Sequence, residues 1–283
     1  MNRVLGMFSP EIQRDTVGRL FDAAKVYGFG AIQFDFLSVC GEEMPARIPS
    51  SVVEEIRHAA DCRGLEICAV NGTFNMIHPS PDAVERGIER FEEIARACAG
   101  LGCGLITLCT GTRSTEHMWK PHPGNDAPDA WRDLLHTMER LLALADQYDL
   151  TLGVETEASN VVNTPERARL LLDTLKSRRL KIIFDPANLF HPGTACAEKA
   201  ADIVEHVFDL LKEDIVLTHA KDIRAGEGIA FTSAGRGIVP FRRFLELLDS
   251  IGYAGPVVAH GIHDEAEFPF STAFLNGLMK HQI

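Results

Sequence analysis

The sequence predicts an α/β fold, a single-domain closed (βα)8 barrel spanning residues 1–283. Three observations predict it. Short apolar runs alternate strictly with amphipathic segments, a pattern that requires a parallel sheet. Eight such pairs share 283 residues, about 35 each, which is the size of a βα repeat. The first turn, Met7-Phe8-Ser9-Pro10, has no glycine, whereas an open doubly wound sheet usually carries a glycine-rich phosphate turn there.

The strands are expected at Val4–Ser9, Ala31–Phe36, Leu65–Asn71, Leu105–Cys109, Leu150–Glu155, Leu180–Asp185, Ile215–His219 and Pro256–Gly261. Each is brief, apolar on both faces and often β-branched, as a strand covered on both sides should be. The first helix is expected over Pro10–Tyr27, with Ser9 as N-cap and proline behind it. Pro49–Cys62 supplies the second, and Pro81–Leu101 follows Ser80 in the manner of the first. Ala130–Tyr148 carries a helical stripe of Leu134, Leu135, Met138, Leu141, Leu142 and Ala145. Pro165–Leu175 starts after Thr164, and Glu198–Lys212, Phe241–Ile251 and Glu265–Met279 complete the set. No linker-like stretch divides the chain. The longest irregular segments, Thr110–Asp129 and Ala220–Pro240, directly follow strands, where the active-site loops of a barrel belong.

Composition narrows the function classes. An apolar share of 46% with 24% charged residues fits a globular chain with ample core. No apolar run is long enough for a membrane span, and the N-terminus lacks the features of a signal peptide. Seven cysteines, an odd number without a C-x-x-C pair, read as reduced and mostly buried thiols of a cytoplasmic protein. A formal charge of −12 argues against a nucleic-acid partner but allows a small anionic substrate. The expected partner is a small sugar-like molecule; a homo-oligomer is compatible with the sequence.

Four successive strands end alike, at Glu155, Asp185, His219 and His260, roughly one repeat apart. Neighbouring strands of a barrel would bring these side chains together, and strand parity can turn all four toward the axis. Alone, an acid or histidine at a strand end is more often a hydrogen-bonded structural residue. Two carboxylates and two imidazoles together would repel or stay half-desolvated unless a cation neutralised them. One divalent metal ion is therefore expected. The mixed oxygen and nitrogen donors suit Mn²⁺, Co²⁺, Fe²⁺ or Zn²⁺ better than Mg²⁺ or Ca²⁺.

On these residues the chain resembles the xylose isomerase-like TIM barrel superfamily, the sugar phosphate isomerase/epimerase group that also contains inosose dehydratase and endonuclease IV. The resemblance rests on Gly153-Val-Glu155, Phe184-Asp185-Pro-Ala-Asn188, His219-Ala-Lys221-Asp222 and Gly252-Tyr253-x-Gly-Pro-Val-Val258, and it covers essentially the whole chain. It implies metal ligation by Glu155, Asp185 and His219. The superfamily's fourth ligand, an eighth-strand glutamate, is His260 here, which departs from the two-glutamate proton exchange of its ketose epimerases. The histidine that some members carry three places after the aspartate is Asn188.

Other groups are candidates by position. Glu157 shares the parity of Glu155 and is read as a base, a metal-orienting acid or a solvated loop acid. Lys221 shares the parity of His219 and suits a carbonyl or anionic oxygen, or a carboxylate partner. Gln33, Asn71, Asn75, Asn160 and Asn188 are candidate hydroxyl-binding amides, with packing or turn roles as the alternative. Trp119 is expected as a lid, and Arg113 and Arg236 as anion-binding groups that would mark a negatively charged substrate.

The leading expectation is metal-assisted isomerisation or epimerisation, with catalytic residues Glu155, His260, Lys221 and Glu157 acting through an enediolate. A lyase of the inosose dehydratase type and a non-catalytic sugar-binding barrel are the alternatives. A DNA-repair nuclease would need more histidines and a basic groove.

Overall fold

The computed structural model describes residues 3–280. Eight parallel strands close into a barrel: β1 (Leu5–Phe8), β2 (Ala31–Phe34), β3 (Glu66–Asn71), β4 (Leu105–Leu108), β5 (Thr151–Glu155), β6 (Leu180–Phe184), β7 (Ile215–Ile223) and, eighth in the ring, β9 (Val257–Ala259). Each pairs with its neighbour, and β9 closes the ring by pairing with both β7 and β1. The helices that cover them are α1 (Val17–Val26), α3 (Ser50–Asp61), α4 (Pro81–Leu101), α5 (Pro128–Gln147), α6 (Pro165–Leu175), α7 (Ala197–Leu211), α8 (Phe241–Ser250) and α9 (Phe268–Lys280). No described helix is long and apolar enough to cross a membrane.

The main departures from the sequence reading lie in the connections. The first helix begins at Val17, not at Pro10, because Thr16 is the effective cap: its Oγ1 accepts the Arg19 N–H at 3.3 Å. Ser9–Glu11 forms a short 3-10 turn instead, since its side chains are committed elsewhere. Ser9 Oγ accepts the Asp35 N–H at 2.9 Å, and Glu11 reaches the eighth strand's loop. A four-residue helix, α2 (Leu37–Cys40), also went unread.

The seventh strand overruns its expected end. It continues to Ile223 and folds back as an antiparallel hairpin with β8 (Phe231–Ser233). Asp222 pins this excursion, its carboxylate accepting N–H groups from Ile223, Gly235, Gly237 and Val239. Gly237 has to be glycine, because a Cβ there would sit 2.2 Å from the Ile223 carbonyl oxygen.

Inside the ring, Ala69, Leu105, Ile183, Leu217 and Val258 form an apolar layer separate from the main core. With a side-chain period of two, each stands two residues before an inward-facing polar residue: Asn71, Thr107, Asp185, His219 and His260. Gly153 fills the same layer on β5, where a Cβ would come 2.9 Å from the Ile183 side chain. This apolar plug is the floor on which the polar end of the barrel rests.

Candidate metal centre

Above that floor, Glu155, Asp185 and His219 each offer a ligand atom, and all of these lie within 4.8 Å of one another. His219 Nδ1 is 3.4 Å from Glu155 Oε1 and 3.5 Å from Asp185 Oδ2. The other imidazole nitrogen, Nε2, meets Gln33 Oε1 at 2.8 Å. A carbonyl oxygen only accepts, so Nε2 carries the proton and Nδ1 is left to face the carboxylates. Gln33, expected on the substrate, thus sets the tautomer of a candidate ligand.

Unpartnered atoms mark what belongs here. Among the described residues, buried side-chain polar atoms without a hydrogen-bond partner are Glu11 Oε2, Asp185 Oδ2, Asn188 Oδ1, His219 Nδ1, His260 Nδ1 and the hydroxyls of Ser233 and Ser271. All but the two serines surround this centre. Orphaned buried groups cost free energy. Two of them, from an acid and an imidazole that face each other, suit a divalent cation with a third ligand from Glu155.

The electrostatics are uneven. Burial tends to raise the carboxyl of Asp185, but Lys221 Nζ at 3.1 Å and the His219 ring outweigh it and hold the group well below the usual carboxylate range. For Glu155 burial prevails over His219, and its carboxyl is pushed up. Burial would lower His219, yet the charges of Glu155 and Asp185 push it up to about 9. One carboxylate is therefore a fixed anion while its neighbour holds a proton more readily. Separation of that kind is common at proton-transfer sites. Asn188 Nδ2 donates to Glu155 Oε1 at 2.5 Å, which fixes the rotamer of the more basic acid.

A cavity of about 320 Å³ opens above these groups. It is lined by Gln33, Asn71, Glu155, Glu157, Asn188, Lys221, His260 and Trp119 from the expected set. Phe8, Glu43, Thr73, Thr107, Leu108 and Cys109 complete it. Trp119 sits at the mouth with 49% of its surface exposed, in keeping with a cover. Glu157 Oε1 accepts from the Ser159 backbone N–H and hydroxyl. A wider hollow, about 520 Å³, opens among the opposite strand ends around Leu65, Ile67 and Pro256. The one potential ligand cluster among the described residues is not there.

Several expected residues stand elsewhere. Arg113 is turned away from the cavity, its guanidinium bonded to the Ile77 carbonyl at 3.0 Å and paired with Asp133. Arg236 stacks on Phe270 at 4.4 Å and faces Glu267, so the Gly235-Arg236-Gly237 run serves the Asp222 turn and not an anion. Asn75 is locked on Thr112, and Asn160 bridges the Gly111 N–H and the Met118 carbonyl. Both amides hold the fourth loop together.

His260 stands apart from the three-residue group. Its Nδ1 lies 3.3 Å from Glu11 Oε1 and its ring is stacked on Phe8. Burial, then the charges of His219 and Lys221, hold its pKa well below the usual imidazole range. Glu11 and Asp35 were not singled out in the sequence. Burial pushes Asp35 up to about 7, although it accepts from Leu37 and Asn71. Its place two residues beyond Gln33, just past the end of β2, was the available signal.

Fold and site together define a (βα)8 barrel with a carboxylate–imidazole centre at the C-terminal ends of its strands. Residues 21–276 match the model of the xylose isomerase-like TIM barrel family, and the chain belongs to that family. It is 23% identical over 242 residues to an inosose dehydratase of Glaesserella parasuis serovar 5 (strain SH0165), covering 80% of this chain and 79% of that one. Among solved structures it resembles the 3-keto-D-glucoside 4-epimerase YcjR of E. coli (TM-score 0.74, 18% identity, 98% of this chain and 100% of the other). It also resembles the probable 3-DHS dehydratase AsbF of Bacillus anthracis (TM-score 0.72, 17% identity, 98% and 97% covered).

Proposed function

We propose that the chain is a divalent-metal-dependent isomerase or epimerase of a small, uncharged sugar-like hydroxy ketone. The observation that carries this reading is the Glu155–Asp185–His219 group, with a His219 Nδ1 that has no hydrogen-bond partner and an Asp185 Oδ2 matched only by the charge of Lys221, beneath a cavity rich in amides and hydroxyls. A bound Mn²⁺, Co²⁺, Fe²⁺ or Zn²⁺ would polarise a carbonyl and its neighbouring hydroxyl, making the adjoining carbon proton more acidic.

The chain's own residues supply the rest. Glu155, aligned by Asn188, and His260 reach the cavity from strands three places apart and exchange the carbon proton as an enediolate forms and collapses. Gln33, Asn71 and Thr107 offer partners to hydroxyls, while Trp119 limits water at the mouth. Substrate charge follows from what lines the wall. Neither Arg113 nor Arg236 reaches it, and its one lysine, Lys221, already faces Asp185. Glu43, Glu155 and Glu157 line it as well, so a phosphate or carboxylate would meet repulsion.

Dehydration is the second reading, favoured by the similarity to chains named inosose dehydratase and by the imidazole at position 260. One experiment separates the two. The manganese-loaded chain is incubated in D2O with neutral ketoses and cyclitol ketones, with their phosphates alongside. Deuterium at carbon without loss of water is expected, on neutral substrates only. Loss of water establishes the dehydratase, and binding without either outcome establishes a non-catalytic barrel.

A further inference from the structure

The residue at position 260 has its own supporting structure. Its ring lies against Phe8 with centroids 5.0 Å apart and planes 12° from parallel, and it contacts His219 on another side at 5.0 Å. Nδ1 is buried and has no aligned hydrogen-bond partner, yet Glu11 Oε1 lies only 3.3 Å away. Glu11 is itself held firmly. Its Oε1 accepts the Gly261 N–H at 2.6 Å and the Ile262 N–H at 3.2 Å, while Oε2 is buried without a partner. Gly261 makes this approach possible, with φ of +77° and a Cβ position that would fall 2.8 Å from the Lys221 side chain.

Capping two loop N–H groups does not require a carboxylate. An amide or a water would do so without leaving a carboxylate oxygen buried and unpaired, which is expensive. The additional feature at this position is the imidazole. Since Oε1 already takes two N–H groups, any proton on Glu11 sits on Oε2. Oε1 remains an acceptor toward Nδ1 in either charge state.

We propose that Glu11 is a positioning residue for His260: it accepts Nδ1–H, fixes the ring between itself and Phe8, and presents an unprotonated Nε2 to the cavity. The inference rests on the proposed carbon-proton transfer. In that step Nε2 takes the proton and the C–H electron pair moves into the adjoining carbonyl to give the enediolate. The imidazolium, held through Nδ1–H on Glu11 Oε1, then gives the proton to the neighbouring enediolate carbon in an isomerisation, while in an epimerisation Glu155 reprotonates the original carbon. A single imidazole so oriented does the work of the carboxylate that this chain lacks on its eighth strand.

The test reads the tautomer directly. Two-bond ¹H–¹⁵N correlation spectra of the full chain, with and without zinc at neutral pH, should show His260 protonated at Nδ1. In Glu11→Leu no acceptor faces Nδ1, so the ring should lose its Nδ1–H form in favour of Nε2–H. Deuterium exchange at substrate carbon should fall by about 10²- to 10⁴-fold in kcat while KM changes by less than about 3-fold. Glu11→Asp should recover part of that loss. An Nε2–H ring in the unaltered chain, a measurement that needs no variant, overturns the proposal, as does a Glu11→Leu protein with unchanged tautomer and kcat. If no substrate exchanges yet the tautomer shifts as described, the positioning role stands and the reading of the reaction falls.

Discussion

Gln33 shows how one side chain can govern the centre without entering it. By accepting from His219 Nε2 at 2.8 Å it leaves the Nδ1 lone pair facing Glu155 and Asp185. Gln33→Leu removes that acceptor and frees the tautomer, so zinc affinity should fall by about 10- to 100-fold with the fold intact. Competition with a chromophoric chelator would measure it, and unchanged affinity would mean that the ring is held by packing alone. At this scale the sequence was legible where the signal was strand parity. Glu155, Asp185 and His219 each follow an apolar run and point inward together. Glu11 was not legible, because its partners at 261 and 262 are about 250 positions away and nothing near Pro10 advertises them. Arg113 was misread for a related reason: a basic residue in an active-site loop looks the same in sequence whether it meets a substrate or Asp133.

Among the elements, the loop after β4 has the most consequence for the site. It carries Trp119, and its shape is set by bonds within it and from the flanking loops: Asn75 to Thr112, Thr112 Oγ1 to the Lys120 carbonyl at 2.9 Å, and Asn160 to Gly111 and Met118. Gly111 takes φ of +83°, and a Cβ there would overlap Asn75. These bonds hold the loop in a shape that already places Trp119 in the cavity wall. Arg113 belongs to this frame. Arg113→Ala should lower stability by about 1 kcal/mol, the modest figure reflecting how exposed Asp133 is, and leave KM for a neutral substrate within about 2-fold. Asn160→Ala leaves the buried Gly111 N–H and the half-buried Met118 carbonyl without their side-chain partner and should cost about 1–3 kcal/mol. Thermal melts and Michaelis curves of the two variants check this, and a large KM rise in Arg113→Ala would restore an anion-binding role. Strand and helix order was legible from hydrophobic period alone. The late start of α1 and the β7–β8 hairpin were not, since each depends on side chains that bond across the fold, Ser9 to Asp35 and Asp222 to the Gly235–Val239 turn.

Over the whole molecule, eight repeats oblige the sheet to close, and closure brings residues 155, 185 and 219 together above one apolar plug. The same arrangement couples folding to metal and pH. A cation bound by three strands of the ring stabilises only the folded chain, by about 2.7 kcal/mol at a free concentration 100 times Kd. For a domain of this size that corresponds to a Tm rise of roughly 5–10 °C, reversed by chelation. The sign of the pH dependence follows from His219. Its folded value, pushed up to about 9, lies above its ordinary 6.5, so without metal the proton on Nδ1 adds stability below about pH 6.5. That contribution is lost as pH rises through about 9. Metal must expel the same proton, so its affinity should weaken by up to about tenfold for each pH unit below 9, and the metal-induced Tm rise should shrink from pH 8 to pH 6. Calorimetry of zinc binding in two buffers of different ionisation enthalpy would count the protons released, with at least one expected near pH 7. A melting shift independent of pH, with no proton released, would mean that the ion binds away from His219.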